Sequence, residues 1–301
     1  MVPNDPNPER RGILLMLVSI VFFAANVLIL RAVSIAAPAA DGWVASFYRG
    51  LVGGGLVWLV YRGRGFEPRN LLGQPWVLAR GLVGSVGIVT FYLTIEHLGA
   101  GRAVILNMTY PLFGAVIAAV WLGEPLRWGQ FGWMLVAFGG LSVFFGEAVF
   151  AGRFSRHEVV GLLGAVVAGV AVVIIRLLRN REHASTVFAS QCLWSWIVAI
   201  PMSVGKVAGL PWKAHVGLIA ASAVVAVAQI TMTHGFHLLP VARGSSIQML
   251  LPLVTAIGGI LCFDEHLSGT EWLGGAVLLG ATWLAVRPAS RAAAKKSGDS
   301  R

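Results

Sequence analysis

A stretch of 25 residues occurs twice in this chain, and this repeat constrains the fold more than any other feature. Residues 102–126 read RAVILNMTYPLFGAVIAAVWLGEPL, and 141 positions later residues 243–267 read RGSSIQMLLPLVTAIGGILCFDEHL, with seven identities and no gap. Each copy carries a proline inside an apolar run and an amide four residues before it. The pairs are Asn107 with Pro111 and Gln248 with Pro252. A proline inside a helix removes one backbone hydrogen bond and crowds the carbonyl four residues earlier. Each copy therefore predicts a kinked helix with an amide beside the freed carbonyl.

The composition indicates a polytopic membrane protein. The chain is 57% hydrophobic and 12% charged, whereas soluble domains carry about 25% charged residues. The net charge of +10 suggests nucleic acid as a partner, but the basic residues lie between apolar runs and form no stripe with interleaved aromatics. We therefore expect no nucleic-acid partner. The two cysteines, Cys192 and Cys262, lie inside apolar segments, so we expect no disulfide framework, metal or cofactor.

Ten segments are long and apolar enough to be transmembrane helices, which need about 20 residues each. The first segment follows Arg10 and Arg11, but it exceeds the roughly 7–15 apolar residues of a signal peptide and is predicted to be retained. The predicted spans are 12–33, 41–61, 75–96, 101–122, 128–147, 158–178, 185–205, 213–235, 242–263 and 270–287.

The distribution of basic residues predicts the orientation. With the N-terminus inside, fifteen Lys and Arg residues fall on the cytoplasmic side and six on the opposite side. This asymmetry places both termini in the cytoplasm. We expect a multi-pass protein of the inner (plasma) membrane.

The repeat and the span count together predict an inverted-topology repeat. The offset of 141 residues contains five spans, an odd number, so the second half enters the membrane with opposite polarity. Such transporters place their substrate near the bilayer midplane, between the halves. The predicted fold is an all-α membrane protein of ten helices in two five-helix repeats. Its segments are a disordered N-terminus (1–11), a first repeat (12–147), a linker (148–157), a second repeat (158–287) and a disordered basic tail (288–301).

The chain resembles the drug/metabolite transporter superfamily, specifically its ten-span EamA-type family. The resemblance covers about residues 12–287 and depends on SFYRGLVGG around Arg49 and on the run GIVTFYLTIEHLGAGRAVILNMTYPLFGAVIAAVWLGEPL. It implies a transporter of small organic metabolites, often an exporter of amino acids or related compounds, working by alternating access through a central cavity. The second copy departs from the pattern, because Asp264, Glu265 and His266 replace the Gly-Glu-Pro of the first.

Arg49 and Arg80 are the best candidates for substrate binding, because they alone among 23 basic residues lie well inside predicted spans. A charge in the membrane core costs at least about 2.5–3.5 kcal/mol and normally faces a cavity or a partner. No acidic residue sits mid-span to neutralise them, which favours an anionic or zwitterionic ligand. The alternatives are that Arg49 ties two helices together and that Arg80 extends to the headgroups.

Further polar and aromatic residues within spans complete the predicted site. Asn107 and Gln248 either bind substrate or satisfy backbone freed by their prolines. Tyr110 could stack on a planar ligand, and Asn26 either bonds another helix or lines the cavity. The remaining predicted contacts are Tyr92, Gln191, Trp194 and Gln229.

Three glutamates lie near the ends of predicted spans. Glu96, at the end of the third span, is the candidate for proton coupling. Glu124 and Glu265 recur in both halves, each just before the next span, where a carboxylate favours the positive helix N-terminus. We expect these two to be structural.

The predicted function is secondary transport, by alternating access, of a small carboxylate-bearing, amino-acid-like or amino-acid-derived metabolite, with export as the direction that the resemblance implies. The alternatives are an importer of a vitamin- or nucleoside-like metabolite and a broad drug efflux pump. A lipid-modifying enzyme would need His234, His237, Asp264 and Glu265 together, yet the predicted topology separates the histidines from the acids. We expect no enzyme activity. Gly50 and Gly54 allow close helix contacts, within the bundle or in a homodimer.

Overall fold

The structure is a computed structural model that describes residues 8–63, 65–123, 128–150, 155–178, 181–238, 247–248 and 250–286. Within these ranges the secondary structure is helical, without a strand. The helices are α1 (Pro8–Ala36), α2 (Gly42–Tyr61), α3 (Asn70–Gly73), α4 (Pro75–Leu98), α5 (Ala100–Asn107), α6 (Tyr110–Leu122), α7 (Trp128–Phe150), α8 (Arg156–Leu178), α9 (Ala184–Val207), α10 (Trp212–Leu238), α11 (Leu251–Phe263) and α12 (Gly269–Val286).

Among the described residues, seven helical segments are long and apolar enough to cross a membrane, and Gly132–Gly146 and α11 are shorter apolar helices. Large apolar side chains cover the outside of the bundle, such as Val120 (84% exposed) and Leu261 (77%), as expected for a surface in contact with lipid. The prediction of an all-helical, multi-pass membrane protein is confirmed. The count of ten spans stays a prediction, because the fifth, ninth and tenth predicted spans adjoin residues outside the described ranges.

Two terminal predictions can be compared with the structure only in part. α1 begins at Pro8, four residues before the predicted first span. Residues 1–7 and 287–301, which carry most of the predicted disorder, lie outside the described ranges, as do Glu124 and the central linker residues 151–154.

Within the described residues, the helix that follows the proline break is the same in both copies of the duplicated stretch. α6 and α11 begin and end at positions that are 141 residues apart. The residue that follows each helix has the left-handed conformation: Gly123 (φ 66°) after α6 and Asp264 (φ 52°) after α11. The backbone N–H of Gly123 donates to the Ala118 carbonyl, and that of Asp264 donates to the Gly259 carbonyl. Aspartate is among the few residues other than glycine that adopt this conformation readily. The second copy therefore keeps the turn although it has lost the glycine.

The predicted kink in the first copy is a complete break between two helices. α5 ends at Asn107 and α6 begins at Tyr110, so that Pro111 occupies the first turn of a new helix, where proline fits without losing a hydrogen bond. The Thr109 hydroxyl and backbone nitrogen both donate to the Leu106 carbonyl, at 2.7 and 3.1 Å. Proline thus locates the break, and threonine stabilises it.

The helices of the two sequence halves pack on one another throughout the bundle. The most extensive contacts join α1 to α10, α7 to α12, α2 to α9 and α4 to α8, and further contacts join α4 to α9, α2 to α10, α6 to α8, α1 to α11 and α5 to α11. The largest buried apolar cluster draws on α1, α2, α4, α5 and α10. The two halves are therefore interleaved, and a site at the centre is built by both.

Glycines allow the closest of these crossings. A Cβ on Gly140 of α7 would lie 2.6 Å from the backbone nitrogen of Leu278 in α12, and a Cβ on Gly50 of α2 would lie 2.5 Å from the backbone nitrogen of Trp196 in α9. Real Cβ atoms essentially never approach so closely, so both crossings require glycine.

Candidate functional site

The site lies where α2 and α4 each cross α9. Gly50 meets the α9 backbone from one side, and Gly81 meets the backbone oxygen of Ser190 in α9 from the other. Each of these glycines directly follows one of the two intramembrane arginines, Arg49 and Arg80. The two close crossings therefore bring both arginines to α9.

Arg49 is buried, with 8% of its surface exposed, and contacts Tyr92 in two ways. Its Nη1 donates a hydrogen bond of 2.9 Å to the Tyr92 hydroxyl. Its guanidinium carbon also lies 5.8 Å from the centroid of that ring, within cation–π range. Tyr92 is neutral, so it orients Arg49 without balancing its charge.

Arg80 is equally buried, at 8% exposure, and is poorly satisfied. Nη2 donates to the Gln191 side-chain oxygen at 3.3 Å, and the Gln191 amide nitrogen donates to the Gly84 carbonyl at 3.3 Å. Nε and Nη1 are buried without an acceptor in the described chain. The guanidinium lies against Gly84, one turn further along α4, where a Cβ would overlap Nη1. The side chain thus runs towards the middle of α4, opposite to the direction needed to reach the headgroups.

Further donors without acceptors lie on α9. The indole nitrogens of Trp194 and Trp196 are buried and have no hydrogen-bond partner in the described chain. Cys192 is also buried on α9, and its carbonyl lies against Gly50, the residue that follows Arg49. Unpaired buried donors are costly, at about 1–3 kcal/mol each. The region is therefore positive and rich in donors, which suits an anion.

Five of the predicted substrate contacts lie in this region: Arg49, Arg80, Tyr92, Gln191 and Trp194. The other predicted contacts lie elsewhere in the bundle. Asn26 of α1 donates to the Ala221 carbonyl of α10 at 2.9 Å, and Gln248 donates to the Ser19 hydroxyl of α1 at 3.0 Å. Both amides join helices in this structure. The other predicted contacts are Asn107 at the end of α5, Tyr110 at the start of α6 beside the largest core cluster, and Gln229, half-buried on α10.

A small recess opens beside Tyr92, towards the end of the bundle where α1 ends and α2 begins. It contains two carboxylates, Glu96 and Asp41. Glu96 accepts a hydrogen bond of 3.0 Å from the backbone nitrogen of Gly42. The recess is lined by Leu30, Ser34, Ala40, Asp41, Gly42, Ala45, Tyr92, Ile95 and Glu96. Tyr92, which accepts the hydrogen bond from Arg49, therefore also lines the recess that contains Glu96, the predicted proton-coupling residue.

Ion pairs lie at this same end, which we call the ion-paired end. Arg31 of α1 donates to Glu265 at 2.9 Å and to the Glu96 carbonyl at 2.6 Å. Lys206 of α9 pairs with Asp41, the N-cap of α2. The third pair joins Arg102 of α5 to Glu271 of α12.

Glu265 has a structural role, but at a different helix from the one expected. Its carboxylate accepts hydrogen bonds from the backbone nitrogens of Ala100 at 3.0 Å and Gly101 at 3.3 Å. It thus caps α5, in the other half of the sequence, and not α12, the next helix along the chain. Sequence reasoning missed Arg31, Asp41 and Lys206, and the recurrence of glutamate in both copies was the available signal.

Of the four residues proposed for a lipid-modifying enzyme, the three whose side chains are described do not converge. His234 bonds to the Ile230 carbonyl of its own helix, while Asp264 is exposed and Glu265 is engaged at α5. In the described part of the chain no three His, Cys, Asp or Glu side chains are grouped to hold a metal. The side chain of His237 lies outside the described set.

Comparison with known proteins gives matches at the levels of family, sequence and fold. The profile of the EamA-like transporter family matches twice, at residues 10–146 and 156–287. The pseudopaline exporter of Pseudomonas aeruginosa is 32% identical over 64% of this chain and 66% of its own length, and a probable terminal-alkyne amino-acid exporter of Streptantibioticus cattleyicolor is 31% identical over 59% and 52%. The chain thus spans just under two thirds of the first relative and about half of the second. A crystal structure with 17% identity superposes with a TM-score of 0.58 over 91% of this chain and 96% of that one, which is a likeness of fold alone.

Proposed function

Because the chain belongs to the EamA-like transporter family, we propose that it exports a small carboxylate-bearing metabolite, amino-acid-like or amino-acid-derived, across the inner membrane by alternating access. The observation that carries this proposal is the pair Arg49 and Arg80, buried on adjacent helices without an acidic partner in the described chain. A charge at this depth costs about 2.5–3.5 kcal/mol or more. An anionic substrate offsets that cost when it binds.

The pattern of helix contacts supports an inverted repeat of two five-helix halves. If each predicted span is exchanged for the span five places away, the α1–α10 contact becomes α8–α4, α4–α9 becomes α10–α2, and α6–α8 becomes α11–α1. The contacts α2–α9, α7–α12 and α5–α11 map onto themselves. Such an exchange is what a pseudo-two-fold axis produces. The two separate matches of the family profile fall on the same halves.

The ion-paired end is assigned to the side opposite the cytoplasm. This assignment depends on the distribution of basic residues, from which both termini are predicted to lie in the cytoplasm. Arg31, Glu265, Asp41 and Lys206 tie together the ends of α1, α9 and α11 and the starts of α2 and α5 at this end. Release of substrate to the outside would require these contacts to open, so the ion-paired end serves as the outer gate.

The direction and the substrate class draw further support from the relatives. Both carry exporter names, and one name specifies an amino acid. Arg49, Tyr92 and Trp194 supply a cation, a hydroxyl and an aromatic surface, which together suit a carboxylate-bearing compound better than a lipophilic cation.

The test is counterflow in proteoliposomes with a panel of amino acids and organic anions, with and without a pH gradient. We expect carboxylate compounds to be transported, and Arg49→Gln to reduce the initial rate at least tenfold. Arg62→Gln, which changes an exposed arginine just beyond α2, should leave the rate unchanged. If no carboxylate compound moves, or if Arg49→Gln transports the true substrate normally, the proposal fails.

A further inference from the structure

We infer that the substrate carries two acidic groups, one bound by Arg49 and the other by Arg80. This inference rests on the proposed function, since it takes the same site as the transport site. The proposed function requires at least one carboxylate on the substrate, and the inference specifies two acidic groups.

Arg49 and Arg80 bring two positive charges into the bundle, and their described hydrogen-bond partners carry no negative charge. The side-chain contacts of Arg49 and Arg80 are with the neutral groups of Tyr92 and Gln191. Each arginine directly precedes a glycine that packs closely against α9, Gly50 or Gly81. One carboxylate would balance only one of the two arginines and would leave the other charge buried and uncompensated. Two acidic groups balance both, and the penalty for an unpaired buried charge then disappears.

Arg80 has more N–H donors without an acceptor than its hydrogen bond to Gln191 uses. Arg49 is oriented through Nη1 by Tyr92, whereas Arg80 keeps Nε and Nη1 without an acceptor. These two nitrogens lie on different edges of the guanidinium, so each can donate a separate hydrogen bond to an anion, while Nη2 stays bonded to Gln191. The indole nitrogen of Trp194, also without an acceptor, lies on α9 one turn beyond Gln191, which holds Arg80. Arg80 is therefore a separate anion-binding group and not a support for Arg49.

Gly84 and Gln191 hold the Arg80 guanidinium in place. Its guanidinium occupies the space that a side chain at position 84 would fill, and Gln191 bonds both Arg80 and the Gly84 carbonyl. Gly84 thus allows the guanidinium to lie inside the bundle. Gly87 lies one turn further along α4, where an added Cβ would meet α8 atoms at ordinary distances of 3.7 Å and more. The two glycines form a matched pair, one against the arginine and one away from it.

A site of this kind discriminates by charge. A ligand with one carboxylate and one amide of equal size leaves a buried arginine without its counter-charge, and such mismatches separate substrates more strongly than a difference in size does. We expect the member of an isosteric pair that carries two carboxylates to be preferred at least tenfold.

The test measures binding to the purified full-length protein with two isosteric probe pairs, glutamate against glutamine and succinate against succinamate. In the wild type the probe with two carboxylates should bind about tenfold or more tightly than its partner with one carboxylate and one amide, in each pair. Arg80→Gln should bring each ratio close to one, while binding of the probes with a single carboxylate persists. Gly84→Ala, which displaces the guanidinium, should lower the ratio as well, and Gly87→Ala should retain it.

The outcomes separate this inference from the function that it rests on. If the amides bind and are transported as well as the acids, the inference fails and the proposed function stands. If the ratio persists in Arg80→Gln, Arg80 is not the second anion-binding group and the inference fails. If none of the four probes binds and no carboxylate compound is transported, both fail. Should Arg80→Gln not fold, the comparison of Gly84→Ala with Gly87→Ala decides.

Discussion

Glu265, which follows α11, accepts backbone hydrogen bonds of 3.0 Å from Ala100, the first residue of α5, across 165 positions of sequence. The same carboxylate pairs with Arg31 of α1. One side chain thus fixes the start of one helix and the end of two others. The carboxylate meets the positive N-terminus of α5, where such a charge is favourable.

Replacing Glu265 by glutamine is expected to destabilise the protein by about 1–3 kcal/mol, because charge-assisted hydrogen bonds are lost. The apparent melting temperature in detergent measures this loss. Asp264→Asn is the matched control. Asp264 is exposed and in the left-handed conformation, which asparagine also adopts readily, so the control should melt with the wild type. Equal melting of both variants would contradict the role given to Glu265.

Adjacent glycines in α7 give a second prediction. Gly140→Ala should lower the melting temperature markedly, because its Cβ would overlap the α12 backbone near Leu278. Gly139→Ala meets no atom within 4 Å and should leave stability unchanged or raise it by about 0.5–1 kcal/mol, the helix preference of alanine over glycine. Thermal unfolding of the two variants tests the prediction. A Gly140→Ala variant as stable as Gly139→Ala would show that α7 and α12 do not cross at these residues.

Asp41 has two roles whose magnitudes can be separated. It caps α2 by accepting from the backbone nitrogens of Trp43 and Val44 at 3.1 Å each, and it pairs with Lys206. Loss of an N-cap costs about 1 kcal/mol, whereas a half-exposed ion pair contributes about 0.2–1 kcal/mol. Asp41→Ala should therefore destabilise more than Lys206→Ala.

Asp41→Asn keeps the cap and removes the charge, so its melting temperature should match that of Lys206→Ala. Added salt should narrow the difference between the wild type and Lys206→Ala, because it screens the ion pair. If Asp41→Asn were as unstable as Asp41→Ala, the ion pair would outweigh the cap.

Tyr92→Phe tests the orientation of Arg49 without disturbing the core. The ring is retained, but the acceptor of the 2.9 Å hydrogen bond from Arg49 is lost. We expect the transport KM to rise about fivefold or more, given the cost of an unsatisfied buried donor, with little change in melting temperature. Tyr61→Phe is the control in the same proteoliposome assay. Tyr61 is the last residue of α2, three turns beyond Arg49. An unchanged KM in Tyr92→Phe would show that this hydrogen bond does not position Arg49 for substrate.

Features that depend on local chemistry could be predicted from the sequence. Apolar length predicted the membrane helices, and proline predicted where the helix in the duplicated stretch is interrupted. The break is a complete one because Pro111 can enter the first turn of a new helix, and only the backbone conformation decides between a kink and a break. Arg49 and Arg80 stood out because each is a charge with no neutralising neighbour in its span.

Contacts between distant residues could not be predicted in this way. An amide within a helix bonds whichever backbone or hydroxyl the fold presents, so Asn26 gave no indication of Ala221, nor Gln248 of Ser19. Glu265 was correctly expected near a helix N-terminus. Sequence adjacency pointed to α12, whereas α5 lies beside it only once the two halves interleave.

Cys192 gives the protein a built-in chemical reporter of conformation. The chain has two cysteines. Cys192 is 1% exposed and held between α9 and α2, where its carbonyl lies against Gly50 and its sulfur against Gly53, whereas Cys262 is exposed on α11. A membrane-permeant maleimide should react readily with Cys262 and reach Cys192 only in conformations that part α2 from α9. The labelling ratio of the two thiols therefore follows the opening of the arginine site in the unmodified protein, without any engineered label.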